Sequence, residues 1–202
     1  MSKEFVNRVF DVIETDVIPI TNRNVAQGCK LFGAAILLKK DLSLVVAESN
    51  YEIANPMWHG EINCLNRYFE IPKDSRPNAK DCLFVATHEP CSLCLNGITW
   101  SGFNNFYYLF THQDSMEEFG TPYDIQILEA IHKVPDSDGK IDPKRDLYNR
   151  ENSFFKSYSL KEIVASLHDP SLEARVDKLK KAYDHISAVY QENKGNFDLI
   201  KP

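Results

Sequence analysis

A proline-led pair of cysteines sets the strongest limit on what this sequence can form. Cys91 and Cys94 follow Pro90 directly after the apolar run "DCLFVAT", which is typical of a buried strand. Because proline suits the first turn of a helix, the pair is predicted at a strand-to-helix junction, where positions i and i+3 share a face. Both sulfurs can then reach one point. The pair alone fits a redox dithiol, half of a structural zinc site or part of a catalytic metal site.

The remaining cysteines narrow these alternatives only in part. Cys29, Cys64 and Cys82 are irregularly spaced and form no second Cys-X-X-Cys pair, which argues against a structural zinc site built from two such pairs. Five is an odd number, so a disulfide framework is also disfavoured. Acidic residues interrupt the apolar pattern of the N-terminus, unlike a secretory signal. We therefore expect an intracellular, cytoplasmic protein.

Helical and strand-like segments alternate along the chain. Apolar residues recur at intervals of three and four from Phe5 to Val17, which predicts an amphipathic helix that ends before Pro19. Strands are predicted for "LFGAAILLKK", "LSLVVAESN", "DCLFVATH" and "NNFYYLFTH". Helices are predicted for "WHGEINCLNRYF", "PCSLCLNGITW" and "YDIQILEAIHKV". This order predicts an α/β fold in which helices cover both faces of a sheet.

The C-terminal part of the chain is set off by a turn-rich stretch around residues 135–146. We accordingly predict a domain over residues 1–140 and a C-terminal helical extension over residues 141–202. Asp169 and Pro170 mark a helix start, after which apolar residues alternate spacings of four and three: Leu172, Val176, Leu179, Tyr183, Ile186 and Tyr190. Such a seam suits packing against another helix, either on the same chain or in a homodimer.

Charge and hydropathy restrict the class of partner. The 29 acidic residues outnumber the 23 lysines and arginines, and the net charge is −6. This balance repels polyanions, so a nucleic-acid partner is not expected. No run approaches the roughly 18 apolar residues of a membrane span, so a membrane partner is not expected either. A small molecule is the partner class that fits best.

A histidine about thirty positions upstream of the pair can supply a third metal ligand. With Cys91 and Cys94, His59 leaves one tetrahedral position open for water, which is the mark of catalytic zinc. Glu61 could move a proton between that water and a substrate. Positions i and i+2 lie about 200° apart on a helix, so His59 must stand at the first turn. Cys64 is predicted to be a core thiol rather than a ligand.

His-X-Glu followed by Pro-Cys-X-X-Cys is the signature of the zinc deaminases. With "LFGAAI" on the first strand and "ESN" ending the second, residues 5–135 resemble the cytidine-deaminase-like superfamily, particularly its nucleobase and tRNA-adenosine branch. The resemblance implies a three-layer α/β/α sandwich with a central mixed sheet of about five strands. It also implies one Zn²⁺ per chain, held by His59, Cys91 and Cys94, with Glu61 as the proton shuttle.

Four further positions are implied to meet the substrate. The backbone amide of Gly60 is expected to face it, and Asn50 to hydrogen-bond the base. Trp100 resembles an aromatic wall of the guanine deaminase branch, although it could also pack in the core. An acidic residue should accept the N–H donors of guanine, and Asp124 is chosen over Glu117 and Glu118, although it could instead be a helix cap.

Two residues depart from the pattern of the superfamily. Gly60 stands where alanine is common, a choice associated with some cytosine deaminases, and Leu31 replaces the usual proline before Phe32. The resulting hypothesis is a hydrolytic deaminase of a nucleobase or nucleoside, with a guanine-like purine favoured. Cytosine deaminase and tRNA adenosine deaminase are the enzymatic alternatives. A zinc-stabilised assembly module is the non-enzymatic one, but it leaves Glu61 without a role.

Overall fold

A five-stranded mixed sheet forms the centre of the protein. In the computed structural model, which describes residues 1–128, 148 and 150–193, the strand order is β2-β1-β3-β4-β5. The strands are β1 (Gly33–Leu38), β2 (Leu44–Ser49), β3 (Cys82–His88), β4 (Asn105–Phe110) and β5 (Lys156–Ser159). β1 is antiparallel to both β2 and β3, whereas β3, β4 and β5 run parallel.

Helices cover both faces of this sheet. They are α1 (Lys3–Val12), α2 (Ile18–Val25), α3 (Gly60–Glu70), α4 (Ser92–Trp100), α5 (His112–Glu117), α6 (Tyr123–Ile127), α7 (Leu160–Leu167) and α8 (Pro170–Asn193). Successive strand residues point to opposite faces. In β1, Ala35 and Leu37 join the core formed with α1, α7 and α8, while Ala34 and Ile36 join the core formed with α3 and α4. The predicted three-layer sandwich is confirmed.

The first helix, α1, ends before Pro19 as predicted, but the helical path continues past this proline, which was not predicted. A π-helical segment, Ile13–Val17, connects α1 directly to α2, and Pro19 lies in the first turn of α2. Proline cannot donate a backbone hydrogen bond and its ring crowds the carbonyl four residues earlier. The wider π-helical turns just before it change that local geometry, so the helical path continues.

The chain after residue 150 completes both the sheet and the core. β5 pairs in parallel with β4, and it was not predicted because the extension was expected to be helical. α8 begins at Pro170 as predicted. Its seam packs on the same chain and buries Leu172, Leu179, Tyr183, Ile186 and Tyr190. Arg175, at the edge of this seam, forms an ion pair with Asp11 of α1 at 2.7 Å.

Two predictions fall on the residues that are not described. The boundary at 140/141 lies outside the described residues, as does the part of "YDIQILEAIHKV" beyond residue 128. Within the described residues, none of the helices combines the length and apolar character that a membrane crossing requires.

Candidate metal centre

The two predicted ligand segments each lie at the start of a helix. His59 is the N-cap of α3, with φ −60° and ψ 160°, and Cys91 is the N-cap of α4, with φ −64° and ψ 171°. Cys94 lies in the first turn of α4 and is fully buried. Because the cap residues have extended backbones, His59 and Glu61 are not restricted to the angle that two regular helical positions would have. The first-turn position predicted for His59 is confirmed.

The three ligand atoms have the separations that a tetrahedral zinc ion requires. Nδ1 of His59 is 3.5 Å from Sγ of Cys91 and 3.7 Å from Sγ of Cys94, and all three atoms lie within 4.8 Å of one another. With sulfur at about 2.3 Å and nitrogen at about 2.0 Å from the metal, tetrahedral geometry separates sulfur from nitrogen by about 3.5 Å. The residues present therefore fit zinc.

The electrostatics of the triad favour a thiolate beside a cation. Hydrogen bonds from Cys94 and His59 hold the pKa of Cys91 well below its usual value. Burial alone would lower the pKa of His59, but the hydrogen bond and negative charge of Cys91 raise it to about 9. Burial raises the pKa of the Cys94 thiol. Because thiolate is the metal-binding form of cysteine, Cys91 is already prepared as a ligand.

Glu61 lies directly against the triad. Its side chain is 4% exposed, and its Oε2 accepts a hydrogen bond from Sγ of Cys94 at 3.3 Å. Burial, followed by the negative charge of Cys91, raises the pKa of Glu61 to about 7. Cys64, by contrast, is fully buried in the core between the sheet and α3, as predicted for a core thiol.

Gly60 makes a different contact from the one expected. Its N–H donates to Oδ1 of Asn50 at 2.6 Å, so the prediction that this amide faces the substrate is wrong. A Cβ atom at this position would lie 2.7 Å from the carbonyl oxygen of Phe32 and 2.8 Å from Cα of Gly33. The absence of a side chain therefore allows α3 to approach the backbone before β1 closely, which explains glycine where alanine is common.

Asn50 retains an unused donor beside this contact. Its side chain is fully buried, and Nδ2 has no hydrogen-bond partner among the described residues. A buried amide donor without a partner costs free energy, so it requires an explanation.

A cavity of about 250 Å³ opens beside the triad. His59 and Cys91 lie in its wall, and the remaining lining residues are Lys30, Phe32, Pro56, Ser92, Leu93, Thr121, Tyr123, Asp124 and Ile127. Asp124, chosen from the sequence as a substrate-binding residue, thus lines this cavity together with Phe32. Asp124 is in the first turn of α6 but is not its cap. Burial, followed by the negative charge of Cys91, raises the pKa of Asp124 to about 6.

Trp100 does not line this cavity, so the prediction that it forms an aromatic wall of the site in its own chain is wrong. Trp100 is the last residue of α4 and is 89% exposed. It lies nine positions after Cys91, which corresponds to about 13 Å along the helix axis. Position on the correct helix therefore did not mean proximity to the site.

Lys30 is the lining residue that the sequence analysis missed most clearly. Its Nζ lies 2.8 Å from Oε1 of Glu52, whose side chain is 3% exposed, and its backbone N–H donates to the same carboxylate at 2.7 Å. Lys30 immediately precedes the first strand and Glu52 follows the second. Neither residue belongs to a motif, so only the predicted hairpin could have placed the two together.

Comparison with known proteins places this site in a family. Residues 18–110 match the family described as cytidine and deoxycytidylate deaminase zinc-binding region. This segment contains all three residues of the triad, and the match confirms the resemblance and zinc as the cofactor. A search of curated proteins finds no match.

Three solved structures illustrate the likeness in fold. The guanine deaminase of Bacillus subtilis is 20% identical, with 83% of this chain and 92% of that chain covered and a TM-score of 0.50. A guanine deaminase of Nitrosomonas europaea gives 17% identity, 85% and 81% coverage, and a TM-score of 0.48. A structure from a study of A-to-I editing by tRNA:A34 deaminases is 15% identical, with 72% of this chain and 98% of that chain covered and a TM-score of 0.43. At these identities the first likeness bears on the fold alone.

Proposed function

We propose that this protein is a hydrolytic deaminase of a small nucleobase or nucleoside, with a guanine-like purine as the favoured substrate. The observation that carries the proposal is the buried carboxylate of Glu61, 3.3 Å from a ligand sulfur of the triad. A site that only stabilises the fold has no use for this carboxylate. We also propose, on the sequence arguments above, a cytoplasmic location, whereas the α8 seam that could have served a homodimer packs on the same chain.

The proposed reaction exchanges an amino group for an oxygen. Zinc bound by the triad would lower the pKa of a water molecule, so that hydroxide is available at neutral pH to attack the carbon that carries the amino group. Glu61 would take a proton from this water and give it to a ring nitrogen while the oxygen bonds to the carbon that carries the amino group. Glu61 would then take the second proton from the new hydroxyl and give it to the amino group, so that the C–N bond breaks, ammonia leaves and the carbonyl forms. With a side chain only 4% exposed, Glu61 is shielded from bulk water, so its proton passes to the substrate.

The cavity suits a free base better than a polynucleotide. Its volume of about 250 Å³ lies just below the usual range of small-molecule pockets. Phe32 and Tyr123 offer aromatic surface to a planar ring, whereas Asn50, whose Nδ2 donor is unpaired among the described residues, is buried and does not line the cavity. The ammonium of Lys30 is already paired with Glu52. These features weigh against a tRNA substrate.

Among the free bases, the positions of Asp124, Trp100 and Gly60 affect the choice between a purine and a pyrimidine substrate. Asp124 supplies the acceptor that the N–H donors of guanine need, while the exposure of Trp100 removes the second feature that favoured guanine. Gly60 has a steric reason to be glycine, so it no longer indicates a cytosine deaminase. The guanine-like preference therefore depends on Asp124.

The test is ammonia release by the zinc-loaded protein from a panel of guanine, adenine, cytosine, cytidine, dCMP and tRNA. We expect release from guanine or a related free purine, and the Glu61→Gln variant should release none above background. Zinc content is measured on the same samples. A fully zinc-loaded protein that releases no ammonia from any panel member would favour the assembly module and refute the deaminase. Turnover of cytosine or tRNA alone would refute the purine preference.

A further inference from the structure

His112 is a buried histidine outside the metal triad. Its backbone nitrogen and both of its ring nitrogens contact Glu89 or Pro90, the two residues just before Cys91. His112 is the first residue of α5 and is 4% exposed. Nδ1 lies 3.1 Å from Oε2 of Glu89, and Nε2 lies 3.2 Å from the carbonyl oxygen of Pro90. The backbone N–H of His112 also donates to Oε2 of Glu89 at 3.1 Å. Both ring nitrogens face acceptors, so both act as donors and the ring is an imidazolium.

The residues that His112 contacts are the two that lead into the metal ligand. The carbonyl of Pro90 belongs to the peptide unit that joins it to Cys91, so a hydrogen bond to this oxygen fixes the plane of that peptide. The plane in turn limits the direction of the Cα–Cβ bond of Cys91. The side chain of Cys91 makes no cap hydrogen bond at the start of its helix, and its contact within α4 is with Cys94, the second thiol of the triad. The backbone just before Cys91 therefore contributes to the direction of its side chain.

The elements around His112 are themselves held in place. Oε1 of Glu89 accepts a hydrogen bond from the hydroxyl of Tyr148 at 2.7 Å, which fixes the carboxylate from its other side. Thr111 and Asp114 form a capping box at the start of α5. Lys161 of α7 reaches Asp114 at 2.9 Å, so α5 is tied to α7.

We propose that His112 is a positioning residue of the metal centre. It holds the carbonyl of Pro90 so that Sγ of Cys91 keeps its tetrahedral separation from Nδ1 of His59. This inference depends on the zinc site and not on the proposed substrate, so it can fail while the deaminase proposal stands. Partners outside the ligand set typically change metal affinity by about 10–100-fold when they are removed.

A buried ion pair that only stabilises the fold would produce some of the same contacts, and two amide substitutions separate the roles. In His112→Gln the amide nitrogen takes the place of Nε2 and can still donate to Pro90. In His112→Asn it takes the place of Nδ1 and can reach only Glu89. Both variants remove the cation. A stability role therefore predicts similar losses in both, whereas the positioning role predicts a difference between them.

The experiment measures zinc affinity by competition with a chromophoric chelator, together with the cobalt–thiolate charge-transfer absorption of the Co²⁺-substituted protein. We expect His112→Asn to lose about 10–100-fold in zinc affinity and to alter the cobalt spectrum. We expect His112→Gln to remain within about threefold of the wild type, an allowance well below that range. His185→Asn, at an exposed position of α8, is the matched control and should match the wild type.

Two results would overturn the proposal. One is a folded His112→Asn variant with wild-type zinc affinity and cobalt spectrum. The other is a His112→Gln variant that loses tenfold or more. If His112→Asn does not fold, His112→Phe, which keeps a ring but donates to neither Glu89 nor Pro90, replaces it: a loss of zinc affinity in this variant with retention in His112→Gln supports the role of the Pro90 contact, and equal affinities refute it.

Discussion

The two helix starts that hold the metal ligands have the same geometry but are fixed by different means. His59 and Cys91 are both N-caps with extended backbones. The start of α3 is fixed by steric fit, because Gly60 lies against the backbone of Phe32 and Gly33. The start of α4 is fixed by charge, because His112 holds the residues just before Cys91.

The contrast shows what an N-cap ligand requires. A cap side chain normally satisfies the free N–H groups of its own helix. Neither His59 nor Cys91 makes such a hydrogen bond, so each remains available to a metal. The cost is that its direction must be set by another part of the fold. One helix start uses a missing side chain for this purpose and the other uses a buried imidazolium.

The largest effect we expect separates the proton carrier from the ligands. Glu61→Gln should lower kcat by about 10²–10⁴-fold, the usual contribution of a general acid–base, and should keep zinc. Cys94→Ser should lose zinc, because it removes a thiolate ligand. Ammonia release and zinc content after dialysis measure the two effects. If Glu61→Gln loses zinc as readily as Cys94→Ser does, Glu61 is a zinc ligand, and its separate role as the proton carrier is wrong.

The next effect tests the steric fit at α3. Gly60→Ala should lower the free energy of unfolding by about 1–3 kcal/mol, because the new Cβ meets backbone atoms that cannot move alone. Gly97→Ala in α4 is the matched control, since its Cβ would meet only the ends of two side chains, Ile62 at 2.7 Å and Leu65 at 3.5 Å, and no backbone atom. Urea unfolding of both variants measures the difference. Equal losses would show that the close approach of Gly60 has no special importance.

A smaller effect concerns the substrate side of the cavity. Asp124→Asn should lower kcat/KM for guanine by about tenfold or more, because a charged hydrogen bond contributes about 1.5–3 kcal/mol. Turnover of bases without the N–H donors should change little. Glu117→Gln, at an exposed position of α5, is the control and should leave kcat/KM unchanged. A uniform loss on all bases would assign Asp124 to the fold rather than to recognition.

The smallest effect we expect is a pH dependence near the start of α4. Burial lowers the pKa of His88 to about 3, against a smaller opposing effect of Asp114. Between about 6.5 and 3 the unfolded chain binds a proton that the folded protein does not, so the free energy of unfolding falls as the pH falls. The slope is up to about 1.4 kcal/mol per pH unit.

His88→Phe should remove that slope while Thr87 keeps its hydrogen bonds to Gly33. Urea unfolding of the zinc-loaded wild type and variant between pH 7.5 and about 5.5 measures it, a window that spans the ordinary pKa of histidine. Identical slopes in the two proteins would show that His88 does not contribute to acid sensitivity.

The sequence predicted those parts of the fold that depend on local pattern. The strands β1 to β4 and the helices α3 and α4 follow from apolar runs and from residues that start helices. The triad could be predicted because its members lie in two short motifs. Pro19 misled the prediction because a neighbouring π-helical segment compensates for it, and no local pattern shows that compensation. β5 has only four residues, Lys-Ser-Tyr-Ser, and no apolar run that would indicate a strand.

The supporting contacts of the site could not be predicted from the sequence. His112 lies 21 residues after Cys91. It contacts Glu89 and Pro90, the residues just before Cys91, only because β4 runs parallel to β3. Lys30 and Glu52 meet because β1 and β2 form a hairpin. Trp100 shows the opposite error, since it belongs to the correct helix but lies at the wrong end. Residue type and spacing identified the ligands, whereas the tertiary fold determines what surrounds them.

The exposure of Trp100 gives the protein a convenient optical property. The chain has two tryptophans, and the other, Trp58, directly precedes His59 and stacks on Tyr51 with ring centroids 6.3 Å apart. In a Trp100→Phe variant, the remaining indole fluorescence would come from a position adjacent to the metal ligand. Changes in its emission would then follow metal loading and substrate entry directly, without a label and without a coupled assay.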